Sequence, residues 1–165
     1  MSLVAPRTIT PSAEDVPDVD DGGEKVTAGV FWPEIVLSDA RKEMRITGTV
    51  TTSRLKHVVI EAVGHTADQL DTWRIEQQSA GFASLDTVPA MEINGQSAKV
   101  YRWRRAVYSI ARALLIETFR DVDTTGDAGE KKAAALASQA NDHWRDARWA
   151  ISDIRGEVRN SAEAF

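Results

Sequence analysis

The chain has 165 residues, of which 42% are hydrophobic and 27% are charged, as is typical of a single globular domain. It has no cysteine, which excludes disulfide bonds and thiolate metal sites and agrees with a reducing cytoplasm. No apolar run approaches the roughly 20 residues that span a bilayer, and the N-terminus lacks the pattern of a secretory signal, so we expect no membrane association.

The net charge of −5 is confined to the N-terminal part of the chain. Residues 1–38 contain two basic and seven acidic side chains, whereas the remainder contains 18 of each sign. Proteins that grip nucleic acid phosphates usually have a basic bias. The charge distribution therefore argues against DNA as the main ligand.

The N-terminal segment, residues 1–30, is predicted to be a flexible arm. It contains three prolines and the acidic run Asp18-Val19-Asp20-Asp21-Gly22-Gly23. Such a segment buries too little apolar surface to offset the entropy that it loses on ordering. We expect the folded part to begin at the aromatic sequence Phe31-Trp32-Pro33.

Two helices are predicted in the first half of the chain. Ser38 is suited to cap a short helix over residues 39–45, and Gly48 separates this helix from the next element. A long helix is predicted from a cap at Thr51 or Thr52 to a stop at Gly81. Its apolar residues recur at the three- and four-residue steps of one buried stripe, and they are Leu55, Val59, Ala62, Val63, Leu70 and Trp73.

A loop and two further long helices are predicted in the second half. Residues 82–97 contain Pro89 and the turn pair Asn94-Gly95, which indicates a loop with a small hairpin over residues 91–97. Helices are predicted over residues 98–120 and 127–155, and Gly156 closes the last one. The predicted fold is all-α, a bundle of one short and three long helices over residues 31–156, followed by a flexible C-terminal tail at residues 157–165.

Few side chains suit catalysis or metal binding. His57, His65 and His143 are not spaced as metal ligands on a helix, and no cysteine can complete a site. Paired carboxylates such as Asp68 and Asp71 lack the surroundings that general acid–base catalysis needs. The serines lack a nucleophile elbow, and no glycine-rich phosphate loop occurs. We therefore expect no catalytic, cofactor-binding or metal-binding residues, and a protein that is not an enzyme.

The segment of residues 121–132 matches half of a calcium-binding loop. Asp121, Asp123 and Gly126 occupy the first, third and sixth positions of that pattern. Lys132 stands at the twelfth position, where the pattern requires a bidentate glutamate. The segment is better interpreted as a connection between helices with capping side chains.

Arginine residues form two stripes on the third and fourth predicted helices. The members of each stripe lie within about 80° of one another, at 100° per residue. The first stripe is Arg102, Arg105 and Arg112, and the second is Arg145, Arg148 and Arg155. Aromatic residues are interleaved with them, namely Trp103, Tyr108, Trp144 and Trp149.

The stripes have two interpretations, and the sequence leaves both open. Arginine beside tryptophan and tyrosine is the composition of interface hot spots. Alternatively, acidic neighbours such as Asp142, Asp146 and Asp153 balance the arginines on a solvated face. The candidate protein-interface residues are Phe31, Trp32, Arg102, Arg105, Arg112, Arg145, Arg148 and Trp149.

Several local patterns occur in a fixed order between residues 31 and 156. They are Phe31-Trp32-Pro33-Glu34, Met44-Arg45-Ile46-Thr47-Gly48-Thr49-Val50-Thr51, Arg54-Leu55, Trp73-Arg74, Gln77-Gln78, Ala80-Gly81-Phe82-Ala83-Ser84-Leu85, Val88-Pro89-Ala90, Tyr101, Ala106-Val107-Tyr108, Phe119-Arg120-Asp121-Val122-Asp123-Thr124-Thr125 and Arg145-Asp146-Ala147-Arg148-Trp149-Ala150-Ile151-Ser152-Asp153-Ile154. In this order they resemble the head completion/stabilisation proteins of the GpL family, from tailed phages with contractile tails. The resemblance does not extend to residues 1–30 or 157–165.

The resemblance implies a structural protein of the virion neck, made in the cytoplasm of a bacterial host. Members of the family complete filled heads after DNA packaging, so that the genome is retained and protected. They resemble head–tail connector or adaptor proteins that form a ring, typically a dodecamer, beneath the portal. The implied partners are other copies of the chain, the portal protein, neck or tail-completion proteins, and DNA that passes through the channel without sequence-specific binding.

A different function remains as the alternative, that of a DNA-binding packaging-accessory protein whose arginine stripes contact phosphates. Neutralisation of phosphates makes affinity fall steeply with salt concentration, so binding measured across salt concentrations separates the two functions. A third possibility, a helical enzyme, has only scattered carboxylates in its favour.

Overall fold

The structure, a computed structural model, describes residues 20–120 and 127–158. Its helices are α1 (Leu37–Glu43), α2 (Thr52–Gln69), α3 (Asp71–Ser79), α4 (Ala98–Arg120) and α5 (Asp127–Arg155). Two small antiparallel sheets pair β1 (Lys25–Val26) with β2 (Ile35–Val36), and β3 (Glu92–Ile93) with β4 (Gln96–Ser97). Helices dominate the described residues, which confirms the all-α prediction.

The two longest helices, α4 and α5, form an antiparallel pair, and their bounds are those predicted from the sequence. The start of α4 lies beside the end of α5, where Lys99 Nζ donates a hydrogen bond of 2.6 Å to the carbonyl of Ile154. Gly156 follows α5 with φ of 75°, the left-handed conformation of a helix stop. Helix α2 packs across α4. The core between these helices is built from their fully buried residues, which include Leu55, Val59, Ala62, Val107, Ile110, Ala150 and Ile154.

The single long helix predicted between Thr51 and Gly81 is wrong, because the chain bends at Leu70. Leu70 has φ of −101° and ψ of 3°, and its side chain is fully buried. None of residues 71–79, all of them described, is fully buried in α3. Trp73 instead reaches the ring of Phe31, edge-on at 6.3 Å. Helix α3 has too few apolar residues to extend the buried stripe of α2, so contacts such as that of Trp73 with Phe31 set its direction. The described residues therefore form five helices rather than four.

Both predicted ends of that region are confirmed. The hydroxyl of Thr51 accepts a hydrogen bond of 3.4 Å from the backbone N–H of Arg54 and so caps α2. Gly81 has φ of 99°, and the N–H of Phe82 donates to the carbonyl of Gln77 at 3.1 Å. This is the geometry in which a left-handed glycine ends a helix.

The predicted cap of the first helix is wrong. Helix α1 begins at Leu37, so Ser38 lies inside it, and it ends at Glu43 rather than at Arg45. The backbone N–H of Leu37 donates to the carbonyl of Glu24 at 3.0 Å. The N-terminal segment therefore satisfies one of the free N–H groups of the first turn, and the helix starts without a side-chain cap.

Residues 20–30, predicted as part of the flexible arm, are packed on the helices. Strand β1 pairs with β2, and Val26 is buried. Asp21 is 2% exposed and forms a salt bridge of 2.6 Å with Arg41, whose side chain is 6% exposed. The boundary of the folded body therefore moves from residue 31 to residue 20. Residues 1–19 of the predicted arm and residues 159–165 of the predicted tail lie outside the described residues.

The hairpin predicted over residues 91–97 is confirmed. Its strands pair Glu92 with Ser97 and Ile93 with Gln96. The two turn residues, Asn94 and Gly95, have φ of 51° and 75°. Positive φ at both central residues is the requirement of the tight turn that suits twisted hairpin strands.

Candidate protein interface

The structure places Phe31 and Trp32 in the core, with 3% and 6% of their surfaces exposed. The ring of Trp32 stacks on Trp103 at 4.4 Å, with 7° between the ring planes. Trp103 Nε1 donates a hydrogen bond of 3.1 Å to the carbonyl of Pro33. These aromatic contacts join residues 31–33 to α4. The assignment of Phe31 and Trp32 as contact residues is therefore corrected, because neither side chain reaches the surface of the subunit.

Two arginines of the α4 stripe bind acidic residues of α5. Arg102 Nη1 donates to the carbonyl of Asp153 at 3.1 Å, and its Nε lies 4.0 Å from the carboxylate of the same residue. Arg105 Nη2 lies 3.7 Å from Asp146 Oδ1. These pairs favour the solvated-face interpretation for both arginines, which hold α4 to α5. Arg112 lies two to three turns further along α4, in a different groove described below.

The α5 stripe, like the α4 stripe, contains both paired and unpaired arginines among the described residues. Arg145 Nη1 lies 2.9 Å from Asp142 Oδ1, and its guanidinium lies 5.1 Å from the centre of the Trp149 ring. Arg148 is exposed, and within residues 20–120 and 127–158 it has no ion pair. Arginine stacked on tryptophan is a common composition of protein interfaces. Arg145, Arg148 and Trp149 are called the α5 arginine face below.

The end of the helical pair carries two further cations that serve the fold. Arg155 donates a hydrogen bond to the carbonyl of Gln69, at the end of α2. Lys99 Nζ lies 5.3 Å from the centre of the Trp73 ring on α3. Burial, with a smaller contribution from the positive charge of Arg102, lowers the pKa of Lys99. Arg155, the third member of the α5 stripe, is thus half-buried and bound to the end of α2 within its own subunit.

A groove between α1 and α4 contains charges of both signs. Asp39 and Glu43 of α1 face Arg104 and Tyr108 of α4. Burial raises the pKa of Tyr108 to about 12, against the opposing effect of Arg104, so the phenol stays neutral at physiological pH. Lys42 and Arg105 also line this groove, so its lining has three basic and two acidic side chains, and a phosphate there would compete with the carboxylates of α1.

A second groove, called the Arg45 groove below, contains a residue that sequence reasoning missed. Loop residues 45–50 form one wall, and the middle of α4 and the first half of α5 form the others. Arg45 and Arg112 both line it, and no carboxylate lies among its described lining residues. Arg45 stands in a sequence pattern that resembles the GpL family, but its approach to Arg112, 67 residues away, depends on how α1 packs.

The chain matches a family model and a curated relative over most of its length. The model of the phage head completion protein (GPL) family matches residues 26–165. The head completion/stabilization protein of Escherichia phage P2 is 34% identical in an alignment of 163 residues that covers 96% of each chain. The chain belongs to the phage head completion protein (GPL) family. No solved structure matches the chain at a significant level.

The matched residues include every helix of the GPL fold described above, together with the α5 arginine face and the Arg45 groove. The match begins at residue 26, so the resemblance seen in the sequence from residue 31 is confirmed and extends slightly further. It also covers residues 157–165, which the resemblance described above does not include. Membership supports a structural role in head completion and a place in the virion.

The titratable side chains of this family member are scattered. His57 and His65 are exposed, and burial, followed by the charge of Arg112, lowers the pKa of His143. Asp71 lies 2.6 Å from Arg74 in an exposed ion pair. Among the described residues no group of three or more histidines and carboxylates could hold a metal ion. The residues 121–126 of the half-matched calcium loop lie outside the described part of the chain.

Within residues 20–120 and 127–158, no helix combines the length and the apolar character that a membrane span requires.

Proposed function

We propose that the protein is a structural head completion protein that assembles as a ring beneath the portal after DNA packaging. There it retains and protects the packaged genome and gives neck or tail-completion proteins a surface on which to dock. The observation that carries the proposal is the match to the P2 head completion/stabilization protein over 96% of both chains.

The α5 arginine face supports the ring. In a cyclic assembly one surface of a subunit contacts a different surface of the next, so each subunit needs an exposed face that folding has not satisfied. Arg148 is exposed and has no ion pair among the described residues, so it is the arginine of this face that a partner would bind first. Arg145 is oriented beside it by Trp149 and by its surface pair with Asp142, which a partner would have to exchange. A neighbouring subunit or the portal protein would supply the carboxylates.

The ring gives the protein its location and its partners. We place it in the virion neck, as a dodecamer in contact with the portal on one side and with neck proteins on the other. The genome passes through the channel of the ring without sequence-specific contacts. The balanced charge of residues 39–165 suits this passage, because a strongly basic channel would hold DNA back.

The alternative function, DNA-binding packaging accessory, is less well supported. Arg102, Arg105 and Arg145 each lie within 4.0 Å of a carboxylate of the same subunit. A phosphate would have to displace these carboxylates, which weakens any electrostatic attraction to DNA.

The experiment that tests the ring is recruitment by purified portal rings of the same phage. The full-length protein is mixed with portal rings, separated by size-exclusion chromatography and imaged by electron microscopy. We expect co-elution and an additional ring of density beneath the portal. Failure to co-elute, together with no such ring in virion necks, contradicts the proposal.

A DNA titration with the same protein separates the alternative. Fluorescence anisotropy with a labelled duplex is measured at several salt concentrations between about 50 and 200 mM. We expect weak binding with little dependence on salt. Micromolar affinity that falls steeply with salt would favour the DNA-binding function instead.

A further inference from the structure

The Arg45 groove combines an apolar floor with two arginines. Ile46, Val50 and Leu115 are buried beneath it, and Leu136 of α5 closes one side. Arg45 projects from the loop after α1, and Arg112 from the middle of α4. Since no carboxylate lies among the described lining residues, the groove suits a segment that carries both carboxylates and small apolar side chains.

The two arginines of this groove differ from the other arginines of α4. Arg102 and Arg105 have carboxylate partners on α5, whereas within residues 20–120 and 127–158 neither Arg45 nor Arg112 has an ion pair. Arg45 also has φ of 53°, a backbone conformation that glycine adopts with less strain. The chain thus keeps a cation at a helix end where glycine is usual.

The folded body begins at residue 20, beside one wall of this groove, and residues 1–19 precede it in the chain. The carboxylate of Asp21 accepts hydrogen bonds of 2.8 and 2.6 Å from Arg41 and one of 2.7 Å from Thr52. Arg41 Nη1 in turn donates to the carbonyls of Thr47 and Val50, at 3.1 and 2.9 Å, and both residues line the groove. The buried ion pair of Asp21 and Arg41 therefore fixes the start of the folded body to the loop of residues 45–50, which lines the groove.

The acidic residues of the segment 1–19 lie in its second half, next to the folded body. Residues 11–19 contain Glu14, Asp15 and Asp18 with no basic residue, and Val16 and Val19 lie among these acids. Residues 1–10 contain one arginine and no acid. A segment of nine residues reaches about 30 Å when extended, so the acidic half can return to the groove beside which the arm begins.

We propose that residues 11–19 bind in the Arg45 groove of their own chain, with their carboxylates beside Arg45 and Arg112 and their valines on the apolar floor. The tether gives this segment a high effective concentration at the groove, whereas an arm that reached a neighbouring subunit would bring its distal half there, which contains Arg7 and no carboxylate side chain. The contact forms within one subunit and does not depend on the ring, so the two proposals can fail separately.

Cross-linking in the full chain tests this contact, because the natural sequence has no cysteine. The variant Ser12→Cys/Gln139→Cys places one thiol in the acidic segment and one at the exposed edge of the groove. A short bis-maleimide is added to dilute protein, and the products are analysed by mass spectrometry. We expect a cross-link within one chain that forms at the same rate when the protein is diluted tenfold.

Charge variants show whether the arginines hold the segment. Adding Arg45→Glu/Arg112→Glu should slow cross-linking by roughly tenfold. Adding Glu14→Gln/Asp15→Asn/Asp18→Asn should do the same and leaves residues 20–158 unchanged, so it remains informative if the first set disturbs folding. Arg54→Glu/Arg148→Glu reverses two exposed arginines outside the groove and should not slow the reaction.

Three results would overturn the proposal. They are a cross-linking rate that neither charge set changes, a product that forms only between chains, and equal slowing by the control pair. The portal recruitment experiment is scored independently of all three.

Discussion

Arg41 and Arg148 carry the same charge in opposite surroundings. Arg41 is 5% exposed and donates two hydrogen bonds to Asp21 and two to loop carbonyls. Arg148 is exposed on α5, and among the described residues it has no ion pair. A buried cation must find its partners during folding, because leaving it unpaired in the interior is costly. An exposed cation can stay in water until another molecule supplies a partner.

The same difference separates two regions of the subunit. Around Arg41, charge fixes the N-terminal segment to α1 and α2. On the α5 arginine face, Arg145 is held at the surface by Asp142 and Trp149, and Arg148 has no ion pair among the described residues. Mutations around Arg41 should lower the free energy of unfolding. Mutations on the α5 arginine face should instead impair assembly.

The largest effect is expected for Arg41→Ala. The variant leaves the carboxylate of Asp21 buried without a counter-ion, which should lower the free energy of unfolding by about 3–5 kcal/mol. Urea denaturation followed by circular dichroism at neutral pH measures the loss. Arg74→Ala is the matched control, because its ion pair with Asp71 has the same length of 2.6 Å but is exposed. We expect about 0.2–1 kcal/mol there, and equal losses would remove the distinction between the two regions.

Acidification should weaken the same buried pair. The Arg41 guanidinium, with help from Thr52, holds the pKa of Asp21 below its ordinary value of 3.8, against the effect of burial. The stability that the carboxylate contributes is therefore present above the unfolded pKa and is lost as the pH falls through the folded pKa. The free energy of unfolding should fall below about pH 4, with a shallower fall in Asp21→Asn than in the natural protein. Asp71→Asn is the control, and an identical slope in Asp21→Asn would refute this account.

The sequence predicted the helices that depend on local pattern and missed what depends on distant partners. Helices α4 and α5 have continuous apolar periodicity and clear stops, and their bounds were predicted correctly. The break at Leu70 was missed, because it results from burial of one leucine and from the contact of Trp73 with Phe31. The spacing of residues along the chain reveals neither the burial of Leu70 nor the contact of Trp73 with Phe31.

The candidate interface was predicted less well, for a similar reason. Helical spacing put three arginines on one face of α4 but could not show that Asp153 and Asp146 of α5 lie opposite two of them. Aromatic residues near the start of the fold indicated an anchor, but not whether it is buried. The sequence does not identify Arg45 as an interface residue, because only the packing of α1 and α4 brings Arg45 and Arg112 into the same groove.

A smaller effect, of opposite sign, is expected at Arg45. Arg45→Gly removes the strain of a left-handed arginine, partly offset by the greater freedom of glycine in the unfolded chain, and should stabilise the protein by about 0.5–1 kcal/mol. Thermal unfolding measures the gain. Arg45→Ala removes the same side chain but keeps the strain, so it should give no gain. Equal stabilisation by the two variants would mean that the arginine side chain, not the backbone, carries the cost.

Charge reversal on the α5 arginine face is expected to change stability the least. It should nevertheless abolish head completion. Arg148→Glu and Arg145→Glu should alter the free energy of unfolding by no more than about 0.5 kcal/mol and leave helicity unchanged. Head completion, measured as infectious particles formed when the variant replaces the natural protein during infection, should be blocked. Arg54→Glu, an exposed reversal on α2, should complete heads normally. Loss of helicity in the Arg145 or Arg148 variants would instead place these arginines with Arg41, as residues that hold the fold. Arg145 has only surface contacts to lose, with Asp142 and Trp149, so its reversal alone should not unfold α5.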